Sequence, residues 1–284
     1  ALRLTPAGDE LFMVTARAAI DALGLGTGPV SDFLALSFSA HDYASHYWGQ
    51  ESWERLDLVV RLDRALGEFM DELDRRLGPD GYALLLTSDH GTTRLVERSR
   101  AAGRLARRIA VDEIERAAAA AATTALGPGE WVAAGSRATL HLGADFDALP
   151  AATRESALDA VVAAVAAIDG IQYAARVDRI AGGCDRRAGL EALACRSLVP
   201  GASGHVYFAA APDSVITEHP AGTGHGSPNP DDRTVPIFVY APAHPRWARA
   251  RVERRPVSLL QVAPTLATLL GVPAPPAATA PPLP

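Results

Sequence analysis

Residues 82–91 read Tyr82-Ala83-Leu84-Leu85-Leu86-Thr87-Ser88-Asp89-His90-Gly91. A short uncharged apolar run that ends abruptly in hydroxyl, carboxylate and imidazole side chains predicts a buried strand with polar chemistry at its carboxyl end. Upstream, residues 51–77 carry Trp53, Leu56, Val59, Val60, Leu66, Phe69, Met70, Leu73 and Leu77 at helical spacing with charges between them, and Gly78-Pro79-Asp80-Gly81 stops the helix. Earlier still, Phe33-Leu34-Ala35-Leu36-Ser37-Phe38 has the length and composition of another buried strand. Strand, long helix and strand make a βαβ unit, which predicts an α/β fold with a parallel sheet flanked by helices.

The pattern extends outward in both directions. Residues 11–23 predict an amphipathic helix closed by the glycine-rich turn at 24–29. Residues 94–219 predict an inserted small α+β subdomain, with helices near 117–124 and 151–168 and strands at 136–142, 172–177 and 205–210. The parallel sheet is expected to resume at 235–240, ahead of a closing helix at 259–270. Residues 1–93 and 220–271 would thus be the two parts of one α/β core, and 272–284 a Pro/Ala-rich tail, extended or disordered.

With 284 residues, 48% of them hydrophobic, the chain can bury a substantial core. Thirty-three acidic against 27 basic residues give a net charge of −6, which argues against nucleic acid or an anionic membrane as partner. A phosphate-bearing small substrate stays compatible, because metal ions can reverse the sign of an acidic cleft. The chain holds no lysine, so lysine Schiff bases, P-loop lysines and lysine general bases are excluded. No apolar run approaches the ~20 residues of a membrane span. Cys184 and Cys195 do not have zinc-knuckle spacing; a local disulfide and two buried thiols both suit them.

Three polar clusters flank the strand-like runs: His41-Asp42-Tyr43-Ala44-Ser45-His46, Ser88-Asp89-His90-Gly91, and Gly224-His225-Gly226-Ser227-Pro228. Asp42 and His46 are four apart, so one helical turn would point both the same way, half of a zinc-type ligand set. The same spacing is common in ordinary helices. Asp89 at a strand end would be costly to bury without a cation, yet it also suits a helix N-cap. His225 alone reads as a loop residue, while His41 and His219 suit supporting roles beside the motifs.

Taken together and in order, these residues resemble the alkaline phosphatase superfamily, in particular periplasmic alkaline phosphatases grouped with type I phosphodiesterases and nucleotide pyrophosphatases. The resemblance rests on residues 32–39, Asp42-Tyr43, His46, Leu62-Asp63, residues 86–91, His225-Gly226-Ser227-Pro228, Thr234-Val235-Pro236-Ile237 and Val262-Ala263-Pro264-Thr265-Leu266. It implies that Asp42, His46 and His225 hold one zinc ion, that Asp89 and His90 hold part of a second, and that the complete protein hydrolyses phosphate esters with two zinc ions. It also implies a periplasmic or secreted location. Family members carry, ahead of the part matched here, a further aspartate at a strand end and a Ser/Thr nucleophile at a helix start. Asp9, Thr15, Asp21 and Thr27 lie in helix-like or turn contexts, and Thr92 and Thr93 follow the Asp-His-Gly motif on the wrong side. The catalytic nucleophile is therefore unassigned, and an N-terminal segment bearing it is expected outside this chain. Other readings are a manganese-dependent, cofactor-independent phosphoglycerate mutase, a sulfatase or phosphonate hydrolase, or a non-catalytic metal-binding member.

Overall fold

The computed structural model describes residues 2–284. Its main helices and strands, in chain order, begin with α1 (Pro6–Leu23), α2 (Ala40–Trp48), α3 (Trp53–Leu77), β1 (Leu84–Thr87), α4 (Val96–Ala101), β2 (Arg108–Ala110), α5 (Val111–Leu126), β3 (Val132–Gly135) and β4 (Thr139–Leu142). They continue with α6 (Ala144–Asp147), α7 (Ala151–Ala166), β5 (Ile171–Arg176), α8 (Val177–Ile180), α9 (Gly189–Ser197), β6 (Val206–Ala210), β7 (Val215–Thr217), α10 (Pro230–Arg233), β8 (Ile237–Tyr240) and α11 (Val262–Leu270). Two compact units result. The first gathers the chain up to Tyr43, Leu56–Asp89 and Val235–Pro284; the second gathers Ala44–Arg55 and His90–Thr234.

In the first unit α1 starts with Pro6, whose missing N–H costs nothing at a helix start, and ends at Gly24 with φ +62°. Met13 and Ile20 of α1 pack on Phe69 of α3, with Leu36, Phe38, Leu66 and Leu73 around them. Arg17 pairs with Glu72 at 2.8 Å and Arg76 with Asp21 at 2.5 Å, holding the two helices side by side.

The strand predicted over 82–87 forms as β1, but its partner differs from expectation. β1 pairs antiparallel with β8, Leu84 opposite Tyr240 and Thr87 opposite Ile237, in a two-stranded sheet. Residues 33–38 join no ladder among the described residues. They run extended, with Leu36 and Phe38 turned to the α1/α3 core and Phe33 60% exposed. The period-2 alternation of a strand is present without the neighbour that would complete it. The parallel sheet anticipated around β1 is therefore not assembled from these residues, and β1 and β8 each keep one open edge. The amino-terminal half of the apolar stripe on α3 is likewise uncovered, with Trp53 82% exposed and Leu56, Val59 and Val60 also exposed.

The tail is extended but tied down. Leu283 is buried, its N–H donates to the fully buried Thr265 hydroxyl at 2.8 Å, and Gln261 Nε2 reaches the carbonyls of Pro281 and Pro282 at 3.3 Å.

The second unit contains a four-stranded antiparallel sheet ordered β3-β4-β6-β5. β6 is buried on both faces. Val206, Phe208 and Ala210 meet Ile114, Ala118, Val161 and Val165 of α5 and α7, while Tyr207 and Ala209 meet Val177, Ile180 and Ala194. One strand thus serves two cores through its period-2 alternation. A short parallel pair, β2 with β7, opens and closes this excursion of the chain. Cys184 and Cys195 form a disulfide, settling the choice the sequence left open. Between β6 and β7 the chain turns at Asp213, with φ +64°. Its buried carboxylate accepts from Ser99 Oγ at 2.6 Å and Arg104 Nη1 at 3.1 Å. No helix among the described residues is long and apolar enough to cross a membrane.

Candidate metal centre

Helix α2 exists because Ala40, Ala44 and Ser45 bury one face while polar residues occupy the other. Asp9 stands at its start: Oδ1 accepts the Ala40 N–H at 3.4 Å, and burial pushes the Asp9 carboxyl above the usual carboxylate range against the lowering pull of that N–H. Asp42 and His46 lie one turn apart on this helix. Gly49, at φ +80°, ends the helix, and a β-carbon there would lie 2.6 Å from the Leu95 side chain. Glycine is needed for both reasons.

The loop bearing His225 is clasped to α2 by a reciprocal pair of hydrogen bonds. Thr223 N–H donates to the His46 carbonyl at 2.9 Å, and His46 Nδ1 lies 2.8 Å from the Thr223 carbonyl oxygen. A carbonyl can only accept, so Nδ1 carries the proton and Nε2 presents its lone pair. Gly222, at φ +82°, allows the approach: a β-carbon there would sit 2.3 Å from the His46 carbonyl oxygen.

The segment after Asp89-His90 is held just as closely. His90 Nδ1 lies 2.9 Å from the Gly91 carbonyl oxygen, leaving Nε2 as its acceptor atom by the same reasoning. Thr93 N–H donates to the Gly224 carbonyl at 3.0 Å, and Thr223 Oγ1 donates to the Thr93 carbonyl at 2.7 Å. Buried Asp232 joins both histidine loops. Oδ1 accepts from Thr93 Oγ1 at 2.8 Å, and Oδ2 accepts from the Ser227 N–H at 2.8 Å. Arg108 Nη2 adds a bond to the Gly222 carbonyl at 2.6 Å.

These clasps bring three imidazoles together. His90 stacks on His225 with ring centroids 3.4 Å apart and planes 13° apart, and the His46 and His225 centroids are 5.0 Å apart. One ligand atom each from Asp42, His46 and His225 lie within 4.8 Å of one another. A carboxylate oxygen with two imidazole nitrogens is a donor set that could hold a divalent metal ion. Asp89 and His90 are not gathered with a third such residue into another group among the described residues. Asp89 is exposed just beyond β1 and accepts from Ser88 Oγ at 3.3 Å.

The remaining histidines lie outside that group. His219 is exposed, its N–H donating to Thr217 Oγ1. His205 Nδ1 accepts the Leu142 N–H at 3.0 Å, and its Nε2 faces Asp147 at 2.9 Å. Thr93, Thr223 and Asp232 were not anticipated. The only sequence signal was Asp231-Asp232 following Pro230, which reads as acidic residues in a first helical turn.

The profile of the type I phosphodiesterase / nucleotide pyrophosphatase family matches residues 8–230. Alkaline phosphatase PafA of Elizabethkingia meningoseptica is 38% identical over 95 residues, which are 34% of this chain and 17% of that protein. Alkaline phosphatase PhoV of Synechococcus elongatus is 43% identical over 88 residues, 31% of this chain and 16% of that protein. The crystal structure of wild-type PafA superposes with a TM-score of 0.87 at 22% identity, covering 99% of this chain and 53% of the PafA chain. The fold is therefore shared, and the chain spans about half the length of that solved relative. With most of its length matched by one family profile and its whole length by an alkaline phosphatase fold, the chain belongs to the type I phosphodiesterase / nucleotide pyrophosphatase family, within the alkaline phosphatase superfamily.

Proposed function

We propose that this chain is the metal-binding portion of a zinc-dependent phosphoric ester hydrolase. The observation that carries the reading is the convergence of Asp42, His46 and His225 from segments about 180 positions apart. Their hard and borderline donors suit zinc, and the carbonyl partner of His46 Nδ1 is the kind of support that orients a ligating imidazole. Asp89 and His90 are assigned to a second zinc, to be completed by residues outside these 284. A divalent ion held there would supply Lewis acidity toward a phosphoryl oxygen. The chain's own contribution is positional: α2 presents Asp42 and His46, Thr223 fixes the tautomer of His46, and Asp232 keeps the His90 and His225 loops in register.

Of the hydroxyls at the Asp89-His90 motif, Thr93 is committed to Asp232 and Ser88 donates to Asp89. We therefore place the nucleophile in a segment beyond this chain. The open edges of β1 and β8, the unladdered run 33–38 and the exposed Phe33 and Phe238 are consistent with such a segment completing the sheet. Residues 94–219 are taken as an inserted subdomain between two parts of that core. The Cys184–Cys195 disulfide supports an exported, periplasmic or secreted protein.

Zinc titration against a chromophoric chelator, with the wild-type chain and Asp42→Ala, tests the metal assignment. Wild type should take up zinc and the variant should bind it at least tenfold more weakly. Equal uptake by both removes the assignment. Hydrolysis of p-nitrophenyl phosphate by the purified chain alone would refute the placement of the nucleophile elsewhere.

A further inference from the structure

The second unit has a shallow cleft walled by His225, Gly226 and Ser227 on one side and by Ser214, Val215 and β6 on the other. Arg137 is the one guanidinium among the residues lining it. The Arg137 side chain is exposed and makes no hydrogen bond, ion pair or ring contact among the described residues.

The backbone that carries it is braced. Ser136 closes the β3–β4 turn around it: the Ser136 N–H donates to the Thr139 carbonyl at 2.8 Å, and Ser136 Oγ accepts from the N–H groups of Ala138 and Thr139 at 3.2 and 2.9 Å. The Ala138 carbonyl accepts the Phe208 N–H at 2.9 Å, which pins the turn to β6. The guanidinium then lies against the backbone immediately before His225. A β-carbon on Gly224 would be 3.8 Å from Arg137 Nη1 and 3.3 Å from Val215 Cγ2. The other charge on the cleft wall, Asp232, is already engaged by Thr93 and Ser227. An unpaired, planar, five-donor cation on a rigid turn beside a ligand-bearing loop is suited to a bidentate oxyanion.

We propose that Arg137 is an oxyanion-binding residue of this cleft, contacting the phosphoryl or a neighbouring anionic group of the ester that His225 and its partners would hold. The inference deepens the phosphoric ester reading above and rests on it. It assigns to the region between the two histidine loops a role in recognising substrate.

Inorganic phosphate is the probe, and calorimetric titration of the zinc-loaded full chain is the measurement, with zinc content quantified in every sample. Arg137→Ala should weaken phosphate binding about ten- to a hundredfold, the loss of a charge-assisted hydrogen-bonded pair. Arg137→Lys should recover part of the affinity, because charge returns without the fork. Arg249→Ala, removing an exposed arginine that is not on the cleft wall, should match wild type, and all three variants should keep the wild-type melting temperature and zinc content. Wild-type phosphate affinity in Arg137→Ala at full zinc content overturns this inference and leaves the metal reading standing. A wild-type chain that takes up no zinc overturns the metal reading, and this inference with it.

Discussion

Replacing Asp232 by alanine should loosen both histidine loops at once. The carboxylate is 3% exposed and accepts two hydrogen bonds, from the Thr93 hydroxyl and the Ser227 N–H, each 2.8 Å long. Hydrogen bonds to a charged group contribute about 1.5–3 kcal/mol each, and truncation also leaves the two donors without that acceptor. Because the pair share one acceptor group they will not add fully, so the loss should be about 3–5 kcal/mol. At roughly 2–4 °C per kcal/mol for a chain of this size, the melting temperature should fall by about 6–20 °C. Asp232→Asn keeps one carbonyl acceptor but sets its NH2 group against a second donor, so it should fall between alanine and wild type. Circular dichroism melts give the stability, and chelator competition gives the zinc affinity, which should weaken about 10–100-fold as for loss of other supporting residues around a metal. A melting temperature within 2 °C of wild type, together with unchanged zinc affinity, would refute the role given to this carboxylate.

Zinc should raise the melting temperature of the wild-type chain by mass action, and His46→Ala should abolish most of that rise while changing the metal-free melt little. Reducing the Cys184–Cys195 bond, or replacing both cysteines by serine, should cost about 2–3 kcal/mol, a modest loss because the closed loop is short, seen as an earlier melt than that of the oxidised wild type. Burial pushes the Asp213 carboxyl up, but the hydrogen bonds from Ser99 and Arg104 outweigh it and hold the group below its ordinary value. A carboxyl depressed in the folded state stabilises fully above its unfolded pKa of about 3.9 and loses that contribution as pH falls through the lower folded value. Urea melts should therefore show wild type losing stability relative to Asp213→Asn as pH falls below about 4.

The sequence made β1, the long helix α3 and the interior of the second unit legible, because each carries a periodicity that survives without knowledge of partners. Pairing was not legible. An apolar run such as 33–38 reads the same whether it lies inside a ladder or beside an open edge, and β1 gives no sign that its neighbour will be the antiparallel β8. The candidate metal-binding group was visible only as an ordered set, since Asp42, His46 and His225 are each ordinary alone. Asp232 and Thr223 were invisible because their work is done through backbone groups far along the chain, which no local pattern encodes. Arg137 was one of 27 basic residues until the turn at Ser136 set it beside Gly224.

The parallel pairing of β2 with β7 has an evolutionary consequence. Arg108 lies opposite Val215 and Ala110 opposite Thr217, so a chain excursion of more than a hundred residues leaves and returns on adjacent strands about 5 Å apart. A cassette with neighbouring ends can be exchanged, lengthened or trimmed while the flanking backbone stays where it is. His46, His90 and His225 all lie outside the cassette and Arg137 lies within it. Lineages could thus retain the three histidine-bearing segments while trading the module set between them.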